Sequence, residues 1–252
     1  KVVDESGVGG VHAVGVFDDR LTLGEKPCDG EGHGDAVVAE AVDHRATQRL
    51  ATGDFHAILE FLTAPAFVAI LVEVGYGNAG RPTCNLVPAP ALYASPNTDC
   101  IAQDMEGAKA LLESSGWVDT NGDGIREKDG MPLKILYQTS TNPVRQDFQA
   151  VIKDWWTELG VEVELKNIDA SVFFGGDAGS PDTFQKFYAD VEMYANNFDG
   201  TDPEPYLAQY LCDKAPSPAN GWQGENVNRF CDPAYDAMVA ELASTREPEK
   251  RG

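Results

Sequence analysis

Hydrophobic and polar positions fall into clear periods only in the later part of this chain. In DMEGAKALLESSG (104–116) apolar residues recur at Met105, Ala108, Leu111 and Leu112. That spacing predicts one helical face, with Asp104 as N-cap and Gly116 as terminator. MPLKILYQTS (131–140) alternates and predicts a strand. STNPVRQ opens a second helix with a buried stripe of Phe148, Val151, Ile152, Trp155 and Leu159, stopped at Gly160. VEVELKNID (161–169) alternates again, DTFQKFYAD (182–190) reads as a short helix, VEMYANN (191–197) as a third strand and DPAYDAMVAELAST (232–245) as a last helix. Strand–helix–strand spacing of this kind predicts a parallel or mixed sheet in an α/β fold.

The earlier part is different. Residues 1–53 show little periodicity: VVDESGVGGVHAVGVFDD is compatible with one or two weak strands, and EGHGDAVVAEAVDHRATQRLA with a short amphipathic helix. The longest apolar stretch, residues 64–72, lies between Glu60 and Glu73 and contains Pro65. It falls short of the ~20 residues a membrane span needs. The segment GYGNAGRPTCNLVPAPALYASPNTDC (75–100) is dense in Gly, Pro and Asn and predicts an ordered surface loop.

Composition divides at the same place. Every Tyr, Trp and Asn lies beyond residue 75, and all four His (His12, His33, His44, His56) lie before it. The chain of 252 residues carries 19 Lys+Arg against 41 Asp+Glu, a formal charge of −22. Both parts are acidic, which argues against nucleic acid or an anionic membrane surface as a partner, since cationic faces bind those. The first 75 residues are therefore expected to be a separate, unassigned segment, and 76–252 the α/β unit. No basic start followed by an apolar core is visible in residues 1–25.

Four features bear on chemistry. Asp119, Asn121 and Asp123, followed by Gly124, begin like a calcium loop, but position 12 is Gly130 and the exit reads as a strand. An Asx-rich turn explains the same residues without a metal. Cys84 and Cys100 bracket one loop, Cys212 and Cys231 another; two loop-closing disulfides in an oxidising compartment account for them, with reduced buried thiols the alternative. His33 and His44, eleven apart, fit no metal pattern. No His follows residue 75, so no Ser-His or Cys-His pair forms there; nor is there a GxSxG, Walker or GxGxxG motif, and the chain is expected not to be an enzyme and to need no cofactor. Finally, Asp199, Asp202, Trp222, Asn226 and Arg229 lie among aromatics after the third strand, where carboxylates, amides and rings suit a cleft for a small polar molecule; capping of the core by those rings is the plainer alternative.

The stretch DMEGAKALLESSGWVDTNGDGIREKDGMPLKI resembles the extracellular solute-binding proteins (family 5) of peptide-type ABC importers. The similarity runs through TSTNPVRQDFQAVIKDWWTELGVEVELKNID and the "DP..YL" segment to RFCDPAYDAMVAEL, and GNAGRPTCNLVPAP resembles the family's loop between lobes. It covers 76–252, about 70% of the chain. The resemblance implies part of a periplasmic-binding-protein type II (venus-flytrap) fold, mainly one lobe plus lobe-crossing segments. It implies a monomer that captures peptides or similar solutes in the periplasm or extracellular space, on a lipid anchor in one arrangement, and delivers them to ABC permease subunits.

In peptide-binding relatives an Asp near the end of the strand before "DP" holds the ligand's ammonium group; Asp199 matches that position best, Asp202 next. Tyr194 and Asn196 stand where relatives usually carry a Trp, and Asn226 and Arg229 would lie on the adjacent cleft wall. Residues 50–75 do not match the family's "VRxA" and "IDR" segment, and family members are about twice this long. The expectation is a truncated protein whose first ~75 residues are out of register with the family. A sugar, opine or metal chelate is the alternative ligand, and a calcium-dependent secreted hydrolase a distant alternative function.

Overall fold

The structure, a computed structural model, describes residues 65–77, 87, 92–93, 105–196 and 201–251, with side chains from residue 70 onward. The elements expected within 1–53, the cap at Asp104, the Cys84–Cys100 pair and Asp199 lie outside the described residues.

Helix α1 (Pro65–Tyr76) begins at Pro65, where a fixed φ and a missing N–H cost a helix nothing. Its apolar run lies inside the segment set apart by composition. It packs on the rest of the fold, with Val72 buried and Leu71 against the main core. Helix α2 (Met105–Ser114) buries Ala108 and Leu112, and the chain turns at Gly116 with φ 91°. A small hairpin follows, β1 (Glu127–Lys128) antiparallel to β2 (Met131–Pro132). Then come β3 (Lys134–Ser140), α3 (Pro143–Glu158) and β4 (Glu162–Ile168), a parallel β-α-β unit. Helix α3 starts where expected: Asn142 caps it by accepting from the Arg145 N–H at 3.3 Å, and Pro143 occupies the first turn. A single turn α4 (Ala170–Phe173), strand β5 (Val191–Met193), a turn α5 (Glu204–Leu207) and helix α6 (Pro233–Ser244), capped by Asp232, complete the elements.

The sheet order is β4-β3-β5, all parallel, with β3 central. One face carries the main core, where Ile135, Tyr137, Val163, Val191 and Met193 meet Phe148, Ile152 and Trp156 of α3. The other bears Leu136, Gln138, Ser140 and Glu192 beneath a second cluster of Ile168, Phe173, Phe184 and Val227.

Four details depart from the periodic reading. Strand β3 is buried at six of its seven positions, because as the central strand it is covered on both faces. In α3 the fully buried tryptophan is Trp156, its ring tilted against Tyr137 at 5.5 Å between centres, while Trp155 is only partly buried. The helix expected at 182–190 is an irregular segment: Phe187 takes φ 48°, which no helix tolerates, yet Thr183, Phe184, Gln185 and Lys186 are buried under it. The third strand pairs over three residues only, Val191–Met193.

Candidate functional site

In open α/β sheets, ligands sit outside the carboxyl ends of the strands. Here those ends converge on the segment after β5. The Thr139 hydroxyl donates to the Met193 carbonyl at 2.5 Å, pinning β5 to β3 just before Tyr194 and Asn196 emerge. Two further pieces close around them, the turns from α5 to Tyr210 and the loop 212–231.

Tyr194 and Tyr210, both half-buried, make the wall, and Tyr206 is buried behind it. Tyr194 packs 5.2 Å from Phe184, and Tyr206 meets Tyr210 edge to face at 5.8 Å, with the Tyr210 hydroxyl 3.3 Å from that of Tyr206. Burial lifts the Tyr194 and Tyr206 hydroxyls far above the usual phenol range, with neighbouring tyrosines adding to it, and for Tyr194 Glu192 and Glu225 as well. Tyr235, whose hydroxyl donates to the Leu207 carbonyl at 2.7 Å, is pushed up to about 12 by burial and by Tyr210 and Asp236. These phenols stay neutral at any physiological pH. The Asn196 amide donates to Gln209 Oε1 at 3.0 Å, tying the end of β5 to the turn after α5.

The disulfide Cys212–Cys231 closes the loop, with Cα atoms 4.6 Å apart across a separation of 19 residues. A crosslink of that span restricts the unfolded chain by about 3 kcal/mol. Asn226, fully buried, reinforces it: its amide donates to the Tyr210, Leu211 and Phe230 carbonyls at 3.3, 3.0 and 2.7 Å, and its Oδ1 accepts from the Phe230 N–H at 3.1 Å. Both bind the same two chain segments. Asn226 thus holds the loop in place, and its side chain is spent on backbone.

Arg229, with φ 57°, donates to the Val227, Gln185 and Lys186 carbonyls at 2.7, 3.3 and 3.4 Å, joining this loop to the irregular segment 183–187. Trp222, with φ 61°, has Lys186 Nζ 3.7 Å from its ring centre and Tyr188 against its edge. Two of the four described non-glycine residues at positive φ are therefore in this one loop, where strained backbone accompanies function more often than chance. Asp202 accepts from the Glu204 N–H at 3.1 Å at the start of α5 and pairs with Arg251. Its carboxylate, lowered by that backbone hydrogen bond and then by Arg251, serves the helix end.

Tyr206 and Tyr210 are among the aromatics expected after the third strand, whereas Gln209, Lys186 and Glu192 belong to this region without a motif that points to them. Tyr206 and Tyr210 are four apart, a helical spacing that places both rings on one side. Glu192, an acid between Val191 and Met193 in a buried strand, was visible as an anomaly of pattern.

The acidic turn lies elsewhere, between α2 and β2. The Asp119 carboxylate accepts from the Gly122 and Gly124 N–H groups at 2.7 and 3.0 Å, and Asp123 from Ile125 N–H at 2.8 Å. Asn121 Oδ1 accepts from Asp123 N–H, while its amide donates to Glu127 at 2.5 Å. Asp119, Asp123 and Glu127 bring carboxylate oxygens within 4.8 Å of one another. Glu127, at position 9, replaces the acid missing at position 12, but the turn's own N–H groups already occupy these oxygens. Arg126 anchors the turn, donating to the Leu159 and Trp117 carbonyls at 2.7 and 2.9 Å.

Residues 69–217 match the family described as bacterial extracellular solute-binding proteins, family 5 middle. A stretch of 65 residues is 38% identical to the oligopeptide-binding protein AppA of Bacillus subtilis, covering 25% of this chain and 12% of that protein. Another of 79 residues is 35% identical to the nickel-binding periplasmic protein of Escherichia coli, covering 31% of this chain and 15% of that one. Among solved structures, the mannohexaose-bound periplasmic oligopeptide-binding protein of Thermotoga maritima superposes with a TM-score of 0.61 at 18% identity, over 83% of this chain and 38% of that one. This likeness fixes the fold as part of a type II periplasmic-binding-protein architecture.

Proposed function

The chain belongs to the bacterial extracellular solute-binding proteins of family 5, and from that premise we propose that it captures a small polar solute, a peptide foremost, for an ABC importer. The observation that carries this reading is the pair of half-buried rings Tyr194 and Tyr210, the latter backed by the buried Tyr206, beyond the carboxyl end of the parallel sheet and within the stretch that matches the family. Rings with polar tips offer apolar surface and directed hydrogen bonds together, which suits a peptide backbone.

Asp199 carries the ammonium-binding role in this reading. It is three residues from Asn196, whose own amide is tied to Gln209. A carboxylate in a partly desolvated cleft pairs with an ammonium far better than it would in bulk water. Asp202 is the second candidate, with its Oδ1 already accepting from Arg251 and from the Glu204 N–H. Delivery to permease subunits, action as a monomer and residence outside the cytoplasmic membrane, with or without a lipid anchor, are parts of this reading, and the family match supports them. No described helix is long and apolar enough to cross a membrane.

A second ligand class has support of its own, because the described wall is neutral. Tyrosine hydroxyls and amides suit a saccharide as well as a peptide, and the Thermotoga protein holds mannohexaose. Thermal-shift measurements with di- to pentapeptides, oligosaccharides and a nickel chelate separate these. A true ligand at 100 times its dissociation constant stabilises by about 2.7 kcal/mol. Stabilisation by peptides is the expected result, and stabilisation by a saccharide or chelate alone would replace the peptide assignment.

A further inference from the structure

Glu192 lies in the middle of β5 with 1% of its surface exposed. Register places it beside Gln138 of β3, which in turn faces Lys166 of β4, so a row of three polar side chains crosses the sheet under the second cluster. Gln138 donates to one oxygen of the Glu192 carboxyl. The other, Oε2, is buried without a hydrogen-bond partner.

A buried carboxylate keeps its charge only when cations or donors compensate it. Each charged neighbour here is engaged elsewhere. Lys166 pairs with Asp182 at 2.6 Å. Arg229, from the loop 212–231, gives its guanidinium to three carbonyls. Lys186, from the irregular segment, has its ammonium over Trp222. On Glu192's own segment, Asp190 accepts from the Leu136 N–H at 2.7 Å and Tyr194 is a neutral phenol. Burial accordingly pushes the Glu192 carboxyl well above the ordinary carboxylate range, against the opposing pull of Gln138, Arg229 and Lys166.

We propose that Glu192 is held as the uncharged acid beneath the cover of the candidate cleft, and that its ionisation draws Arg229 away from the Gln185 and Lys186 carbonyls and loosens that cover. When the proton leaves to solvent, a bare carboxylate remains within the field of two cations. Lys166 is held by a charge-assisted bond, roughly twice as strong as a neutral one. The contacts from Arg229 to Gln185 and Lys186 are long, at 3.3 and 3.4 Å, and go to neutral carbonyls. They are the ones to give way. Those two contacts join the segment 183–187 to the loop bearing Trp222 and Asn226, so Glu192 is a positioning residue acting through Arg229. The inference concerns the chain alone and does not depend on the identity of the solute.

The sign follows from proton linkage. The folded state keeps a proton that the unfolded chain releases near pH ~4.3, so the contribution is fully present below that pH. It is lost as pH rises through the folded value, at up to about tenfold in the folding equilibrium constant per pH unit. Urea denaturation of the full chain and of Glu192→Gln, an isostere of the neutral acid, reads this directly. The wild-type constant is expected to fall relative to the variant from about pH 5 upward and then level off. Parallel profiles across that range would overturn the proposal. Hydrogen exchange on the wild type gives a second readout that needs no variant. After correction for intrinsic rates, protection in 183–187 and 225–230 is expected to fall with pH while β3 and α3 keep theirs. A uniform change, or none, would equally sink the idea.

Discussion

Asn226 shows how much one side chain can hold in a loop with little regular structure. Its four hydrogen bonds join Tyr210–Leu211 to Phe230, immediately beside the two half-cystines. Replacement by Ala leaves several buried backbone groups without partners at about 1–3 kcal/mol for each that water cannot reach. Asn226→Ala is expected to lower stability by roughly 2–4 kcal/mol in urea denaturation, with the disulfide intact. A loss below about 0.5 kcal/mol would mean the crosslink alone sets the loop. The type and place of this residue were legible in the sequence, but its role was not. An Asn between aromatics reads as a ligand contact, and only the burial of its amide shows that its capacity goes to backbone. Asp202 is a parallel case, an acid whose Oδ1 accepts from the Glu204 N–H and pairs with Arg251.

At the scale of elements, the periodic pattern placed α2, α3 and β4 well because each has a half-buried face beside a cap or stop (Gly116, Asn142, Gly160), and α6 is placed by its Asp232 cap although it buries only Val239. It failed where backbone conformation overrides side-chain spacing, as at Phe187, whose positive φ turns a helical-looking run into an irregular cover. It also could not foresee that β5 pairs over only three residues, since the pairing ends where the chain leaves β3 to form the wall. Helix α1 is the other lesson. Its composition set it apart, yet Gly75 lies so close to α3 that a Cβ there would stand 2.3 Å from Phe148 Cζ. The Phe148 ring is buried at 1% exposure and has little room to withdraw. Gly75→Ala is therefore expected to cost about 1–3 kcal/mol of stability. An unchanged denaturation midpoint would show that α1 does not dock on α3.

For the molecule as a whole, a charge of −22 argues against nucleic acid or an anionic membrane surface as a partner. The strand order β4-β3-β5 brings the carboxyl ends of three parallel strands to one edge, and Tyr194, Asn196, the turn after α5 and the disulfide-closed loop follow from there. The central claim is that this edge captures a solute through Asp199 and the tyrosines. Isothermal titration calorimetry of the chain with a tetrapeptide, the same peptide acetylated at its amino terminus, and the Asp199→Asn variant tests it most directly. The account predicts binding of the free peptide and a loss of about tenfold or more on either acetylation or the substitution, in keeping with one charge-assisted pair. Absence of binding by the free peptide, or equal affinity for the acetylated one, would contradict it.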